Sequence, residues 1–104
     1  ETVRTMNVHE LHERLNEITL VDVRQTSEWN AGHIPGAIHF EGGRIPWEEF
    51  PFPRDKPVAI QCGSGNRSMI AISVLRRRGY QNLIQVDGGI NQWKKNEFEI
   101  TRDA

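Results

Sequence analysis

The chain contains a single cysteine in 104 residues and therefore cannot form an internal disulfide. This argues against a small disulfide-stabilised secreted domain and favours a reducing, cytoplasmic setting. No apolar run approaches the ~20 residues of a membrane span, and the start, ETVRTMNVHE, is too polar for a secretory signal. The chain also has no large excess of positive or negative charge, since its net charge is -1. Neither a nucleic acid nor a membrane is therefore an expected partner.

The composition is typical of one globular domain. Hydrophobic residues make up 37% and charged residues 26% of the chain, a balance that argues against disorder. A chain of this length has little room for a second core, so we predict a single domain over residues 1–104. Because the sequence starts at Glu1 without an initiator methionine, it is compatible both with a processed product and with a domain of a longer protein.

Short apolar segments alternate with segments of helical spacing. ITLVDV, for example, is apolar and rich in β-branched residues, as expected of a strand covered on both faces. Together with four similar segments it predicts five strands, at 2–6, 18–23, 36–40, 58–61 and 83–86. Helices between successive strands require crossover connections. We therefore predict an α/β fold with a mainly parallel five-stranded central sheet and helices on both faces.

Capping signals predict where the helices begin and end. Asn7 and Glu10 form a capping-box pattern, and Val8, Leu11 and Leu15 follow at helical spacing. The later helical segments are a short helix capped by Thr26 or Ser27 and ended by Gly32, a single turn at 44–50, a mostly buried helix from Ser68 to a stop at Gly79, and a short helix within 88–96.

The only cysteine, Cys62, ends a predicted strand and precedes four small or turn-forming residues, Gly63, Ser64, Gly65 and Asn66. These residues allow a tight curl in which backbone N–H groups point inward, backed by the positive end of the next helix. Such a cradle should lower the pKa of Cys62, since a thiolate is an anion, and Arg67 adds a permanent positive charge. The sequence predicts an activated thiolate with residues 63–67 as an anion-binding loop.

A buried structural role is the alternative for Cys62, because unpaired cysteines are among the most buried residues in proteins. Its position at a strand end, before a glycine-containing loop and Arg67, favours the reactive role. A cysteine that only fills the core needs none of these neighbours.

Three segments, taken together, resemble the rhodanese family. LVDVRQTSEWNAGHIPGAIHF resembles its first signature, CGSGNRS its active-site loop, and GY with VDGGINQW its closing segment. The resemblance implies a sulfurtransferase without a cofactor, in which Cys62 takes the outer sulfur of a donor such as thiosulfate and becomes a persulfide. It also implies that the amides of residues 63–67 stabilise the terminal sulfur until cyanide or a cellular thiol accepts it.

Loop length distinguishes sulfur transfer from phosphate chemistry. Cysteine-dependent phosphatases, including those on a rhodanese-like scaffold, and related arsenate reductases place five residues before an arginine that grips two oxygens. Here four residues separate Cys62 from Arg67, and the loop has no obvious general acid. A phosphatase or arsenate reductase is therefore the less favoured alternative.

Two further residues are assigned supporting roles. Ser68 lies at the predicted start of the helix, and Asp22 ends a strand at the same edge of the sheet as Cys62. Asp22 is expected either to orient the loop or to pair with Arg67. The purely structural alternative for this region is that Arg24 and Glu28, which have helical spacing, form a surface ion pair of little energetic value.

The histidines have structural explanations. His33 lies in the rigid turn GHIPGA and is expected to hydrogen-bond to the backbone rather than to transfer protons. His9 and His12 are one helical turn apart but have no third ligand of matching spacing nearby, so we predict no metal site and a solvated helix face.

The tryptophans Trp29, Trp47 and Trp93 are expected to pack in the core or at its edge. A weaker hypothesis concerns the irregular segment before the strand that carries Cys62. There, Trp47, Phe50 and Phe52 are placed to form an apolar wall beside the active site.

The favoured function is an enzyme that moves sulfur from a small-molecule donor to a thiol or cyanide acceptor. The second hypothesis is a persulfide carrier or regulatory module of a larger sulfur-metabolism protein, acting with little activity on thiosulfate. Similar rhodanese domains are fused to metallo-β-lactamase-like sulfur-oxidising enzymes and to flavin disulfide reductases. The full reading frame of the gene distinguishes the two hypotheses.

Overall fold

The structure is a computed structural model that describes residues 3–102. Within that range, strands and helices alternate along the chain as β1 (Arg4–Met6), α1 (Val8–Glu13), β2 (Thr19–Asp22), α2 (Thr26–Ala31), β3 (Ile38–His39), a 3-10 turn (Gly42–Arg44), β4 (Val58–Gln61), α3 (Asn66–Arg77), β5 (Leu83–Val86) and α4 (Gly89–Lys95). The sheet order is β1-β5-β4-β2-β3, and each neighbouring pair is parallel. The predicted α/β fold with a five-stranded sheet is confirmed; Thr2, which the prediction placed in the first strand, lies outside the described residues.

The sheet separates two apolar cores, and alternate residues of β4 face opposite sides. Val58, Ile60 and Cys62 belong to the core under α3, which contributes Ile72 and Leu75. The residue between, Ala59, belongs to the core under α1 and α4, which contains Leu11 and Trp93. Helices therefore cover both faces, as predicted.

The capping box of α1 is confirmed. Asn7 Oδ1 accepts the N–H of Glu10 at 2.9 Å, and Glu10 Oε1 accepts the N–H of Asn7 at 3.2 Å. For α2 the predicted caps, Thr26 and Ser27, are wrong, because the helix already includes them and its N-cap is Gln25. The reason is Glu28, whose carboxylate accepts the Gln25 N–H at 3.1 Å.

Helix α3 differs from its prediction in two ways. It begins at Asn66 rather than Ser68, because Gly65 adopts a φ of +119° that turns the chain directly into the helix. It is also half-exposed rather than mostly buried. Met69 and Ile70 are 42% and 66% exposed, because α3 has only one face against the sheet.

The predicted single turn within 44–50 is present, because the N–H groups of Trp47 and Glu48 donate to the Arg44 carbonyl at 3.1 and 2.9 Å. The 3-10 turn at Gly42–Arg44, which was not predicted, comes directly before it. The last helical prediction is confirmed, since α4 occupies Gly89–Lys95 after a turn at Gly88.

The parallel register brings the ends of β2 and β4 together. Asp22 lies beside Gln61, and the N–H of Val23 donates to the Gln61 carbonyl at 3.1 Å. The residue after Gln61 is Cys62, so the end of β2 reaches the cysteine loop, as expected at the carboxyl edge of a parallel sheet. Within residues 3–102, no helix has both the length and the apolar character needed to cross a membrane.

Candidate active site

Cys62 lies directly after β4, with its side chain 1% exposed. The backbone N–H groups of Gly65 and Ser68 donate to Sγ at 3.1 and 3.4 Å, and the Ser68 hydroxyl oxygen is 3.6 Å from Sγ. The positive φ of Gly65 makes this curl possible. The loop thus directs hydrogen-bond donors at the sulfur itself.

The pKa of Cys62 reflects two opposing effects. Burial raises the pKa of the thiol, because a thiolate is poorly solvated in the interior. The Ser68 hydroxyl and the N–H groups of Ser68, Gly65 and Ser64 act in the other direction, and together they hold the pKa of Cys62 below its usual value. The hydrogen-bond donors therefore favour the thiolate form of Cys62 against the effect of burial.

A buried glutamine supports the loop from beneath. Gln85, on β5, donates through Nε2 to the carbonyl of Gly65 at 3.0 Å, and its Oε1 is 2.7 Å from the Ser68 hydroxyl. That hydroxyl is also 3.0 Å from the Gly65 carbonyl. A role for Gln85 was not predicted from the sequence. A signal was available, since an amide within the apolar strand LIQV needs a buried partner.

The closing segment holds the other side of the loop. The first N–H groups of α4 donate to it, from Ile90 to the Cys62 carbonyl at 2.9 Å and from Asn91 to the Gly63 carbonyl at 3.0 Å. A Cβ on Gly89 would lie 2.1 Å from the Cys62 carbonyl oxygen, so only glycine permits this approach. The sequence analysis did not assign this role to Gly89, although the glycine pair in VDGGINQW indicates a close backbone contact.

The charged residues pair differently from the prediction. The Arg24 guanidinium bonds both carboxylate oxygens of Asp22, at 2.9 to 3.1 Å, and the Gly32 carbonyl, at 2.8 Å, and the pair is buried. Arg67 instead bonds both carboxylate oxygens of Glu28, at 2.6 and 3.1 Å.

Both proposed pairings, Asp22 with Arg67 and Arg24 with Glu28, are therefore wrong. Asp22 accepts the N–H and the guanidinium of Arg24 within the chain turn after β2. Glu28 projects from α2 toward the start of α3 and so meets Arg67. The main cause that raises the pKa of Arg67 is the hydrogen bond that its guanidinium donates to Glu28, and the charge of Asp22 makes a smaller contribution.

The histidines occupy structural positions. His33 Nδ1 is 2.9 Å from the Trp29 carbonyl oxygen, which confirms the predicted backbone hydrogen bond. His9 and His12 are exposed, and His12 stacks on Phe98. Residues 3–102 contain no cluster of three histidine, cysteine or acidic side chains arranged to hold a metal ion.

The predicted aromatic wall is not formed. Phe50 is 1% exposed and lies in the core, Phe52 packs against it, and Trp47 is 85% exposed. The expectation of core or edge packing therefore holds for Trp29 and Trp93 and is wrong for Trp47. A pocket of about 380 Å³ does adjoin Arg67, and its walls include Ile45, Pro46, Ala71 and Val74.

The model of the rhodanese-like domain family matches residues 7–96, which include the whole cysteine loop. The chain belongs to the rhodanese-like domain family. A protein of Allochromatium vinosum named sulfurtransferase is 33% identical over 94% of this chain and 94% of its own length. The thiosulfate sulfurtransferase GlpE of Tolumonas auensis is 31% identical over 78% of this chain and 76% of its own.

A solved rhodanese-related protein of Thermoplasma volcanium has the same fold. Its TM-score to this chain is 0.87 at 30% identity, with 96% of this chain and 99% of that chain aligned. The rhodanese-like fold and the sulfurtransferase relatives together support a sulfurtransferase-family protein.

Proposed function

We propose that this rhodanese-like domain transfers a sulfane sulfur from a small-molecule donor to a thiol or cyanide acceptor through a persulfide on Cys62. The observation that carries the proposal is the direction of the loop N–H groups. Gly65 and Ser68 donate to Sγ at 3.1 and 3.4 Å, and these donors help to lower the thiol pKa despite burial. A lowered pKa increases the fraction of thiolate, which is the nucleophilic form of cysteine.

In the first step, the Cys62 thiolate attacks the outer sulfur of thiosulfate. The S–S bond of thiosulfate breaks, sulfite leaves with the bonding electrons, and the transferred sulfur becomes the charged end of a Cys62 persulfide. The amides of residues 63–67 and the start of α3 are suited to stabilise that negative charge. The name of the Tolumonas auensis relative supports thiosulfate as a donor to test.

In the second step, the acceptor attacks the terminal sulfur of the persulfide. The bond from Sγ to that sulfur breaks, its electrons return to Sγ, and the thiolate is regenerated. When the acceptor is cyanide the product is thiocyanate, and when the acceptor is a thiol the product is a new persulfide. The cycle needs no cofactor, because each step exchanges one sulfur–sulfur bond or forms a carbon–sulfur bond at its expense.

The position of Arg67 argues against phosphate chemistry. A phosphatase loop needs an arginine that grips two oxygens of the substrate. Here the guanidinium uses two N–H groups on Glu28, and the loop contains four residues between Cys62 and Arg67. Both features favour sulfur over a phosphate as the bound group.

Intact mass spectrometry tests the proposal. After incubation with thiosulfate, the protein should gain the mass of one sulfur atom, and cyanide should remove it. Cys62→Ser should show no gain, because Cys62 is the only cysteine in the chain. Circular dichroism should show the same fold in both proteins.

Two results would contradict the proposed persulfide. One is the absence of a sulfur adduct with thiosulfate and also with an organic persulfide. The other is an adduct of equal extent on the folded Cys62→Ser variant.

A further inference from the structure

An ion pair between Glu28 and Arg67 lies at the solvent-exposed side of the cysteine loop, which we call its mouth. Glu28 projects from α2 and binds the guanidinium of Arg67, in the first turn of α3, through two hydrogen bonds of 2.6 and 3.1 Å. Nη2 of Arg67 lies 3.1 Å from the position that a Cβ on Gly63 would occupy. The pair therefore lies against the residue that directly follows Cys62.

This pairing leaves little net charge at the mouth. The hydrogen bond from Arg67 lowers the pKa of Glu28 to about 2, so Glu28 is ionised at neutral pH, and the same bond raises the pKa of Arg67. The other charged side chains that act on this pair, apart from Cys62, are Asp22 and Arg24, which neutralise each other in a buried ion pair.

We propose that Glu28 is a positioning and specificity residue, which holds Arg67 in a charge-neutral pair and so disfavours dianionic thiosulfate relative to sulfane-sulfur donors of lower charge, such as organic persulfides. The inference rests on the proposed sulfur transfer and adds the class of donor. A lone guanidinium at this position would attract a dianion strongly. A guanidinium already bonded at two N–H groups attracts it weakly and has fewer donors left for the sulfonate oxygens.

Glu28→Gln tests the role of the charge. Glutamine keeps the length of the side chain and an oxygen to accept the Gln25 N–H, so α2 should keep its cap. The loss of the carboxylate leaves Arg67 with an uncompensated charge. We expect the second-order rate constant of persulfide formation from thiosulfate to rise about fivefold at low ionic strength, and this gain to fade as salt screens it.

Arg67→Gln should have the opposite effect. The substitution leaves Glu28 without its partner at the mouth, so the rate constant with thiosulfate should fall about fivefold or more at low ionic strength.

An uncharged thiol reagent, methyl methanethiosulfonate, distinguishes an effect of charge on the donor from a change in the reactivity of the thiolate. The thiolate attacks the sulfenyl sulfur of the reagent and releases methanesulfinate. We expect the rate constant of this reaction to change less than about twofold in Glu28→Gln.

Glu48→Gln is the matched control. Glu48 forms a similar pair with Arg44, at 2.8 and 3.0 Å, on the exposed turn before the irregular segment. The substitution Glu48→Gln changes the net charge of the protein by the same amount as Glu28→Gln. The rate constant with thiosulfate should stay within about twofold of the wild-type value, because Glu48 binds Arg44 and not Arg67, and its exposed charge is screened.

The results separate the two proposals. If the wild type takes up no sulfur from thiosulfate or from an organic persulfide, sulfur transfer itself fails. If the wild type takes up sulfur but Glu28→Gln has the wild-type rate constant and salt dependence with thiosulfate, only the role of Glu28 is wrong. An equal gain with the uncharged reagent would also overturn it, since that gain would come from a more reactive thiolate.

Discussion

At the scale of single residues, the reactivity of Cys62 depends on a balance between burial and hydrogen bonding. Its side chain is 1% exposed, which by itself favours the neutral thiol. Donors from Ser64, Gly65 and Ser68 outweigh this effect and lower the pKa. Ser68 is the one residue among them that contributes both a backbone N–H and a side chain.

Ser68→Ala should raise the pKa of Cys62, because the hydroxyl is lost and only the N–H remains. At pH 7 the thiolate fraction should fall, and alkylation by iodoacetamide should slow about fivefold, which corresponds to one hydrogen bond of ~1 kcal/mol. The full pH profile of alkylation, followed by intact mass, should move to higher pH.

Ser64→Ala is the control for this profile. Ser64 contributes through its backbone N–H, which alanine keeps, and its side chain is exposed. Its profile should match the wild type. The account of the Cys62 pKa is wrong if Ser64→Ala and Ser68→Ala shift the profile equally, or if neither shifts it.

At the scale of elements, the site depends on how α4 meets the end of β4. The N–H groups of Ile90 and Asn91 bond the carbonyls of Cys62 and Gly63, which fixes the first part of the loop. The contact requires a φ of +52° at Gly89 and leaves no room for a side chain there. Backbone contacts from α4 thus set the position of the Cys62 backbone.

Gly89→Ala should therefore destabilise the protein. Its Cβ would lie 2.1 Å from the Cys62 carbonyl oxygen, so α4 must move away from the loop. We expect a loss of about 2 kcal/mol or more in the free energy of unfolding, measured in urea, from steric overlap and backbone strain.

Gly43→Ala provides the comparison, because a Cβ at Gly43 meets nothing within 4 Å. Its free energy of unfolding should stay within ~0.5 kcal/mol of the wild-type value, as for ordinary surface substitutions. Equal stability of the two variants would show that the contact at Gly89 is not tight.

At the scale of the whole molecule, one sheet supports two cores, and only one of them contains Cys62. The core under α3 includes Cys62, whereas the core under α1 and α4 includes Leu11 and Trp93. Within residues 3–102, the second core meets the cysteine loop at the start of α4, whose backbone N–H groups donate to the Cys62 and Gly63 carbonyls. A change in this core away from the start of α4 should therefore weaken the entire fold and leave the loop of the folded protein unaltered.

Leu11→Ala tests this separation. Leu11 is fully buried, so its truncation should lower the free energy of unfolding by about 2 to 5 kcal/mol in a single cooperative transition. Under conditions where the variant is folded, its pH profile of Cys62 alkylation should match the wild type. A shifted profile would show that the loss of Leu11 reaches the cysteine loop through α4 and would contradict this expectation. Unfolding in two separate transitions would contradict a single cooperative fold.

Local patterns were sufficient to predict the architecture and the curled loop that follows Cys62. Strand and helix periodicities depend on which residues alternate along the chain, and they predicted five strands in a parallel sheet. The position of Cys62 before Gly63 to Asn66 predicted the curled loop, because backbone conformation there depends on the residues themselves. The one local error in this region, the start of α3 at Ser68, came from not assigning the left-handed turn to Gly65.

Long-range contacts were decided by the packing of elements. Arg67 is 39 residues from Glu28, and Ser68 is 17 from Gln85, so no local spacing indicates either pair. The sheet order brings β4 between β2 and β5, and this places α2 and β5 on either side of the cysteine loop. The sequence alone thus determined a parallel α/β fold with a thiolate loop at a strand end, because backbone preferences are local. Only the tertiary structure decided which charge faces Arg67 and which amide supports Ser68, because those choices depend on the distance between elements that are far apart in the chain.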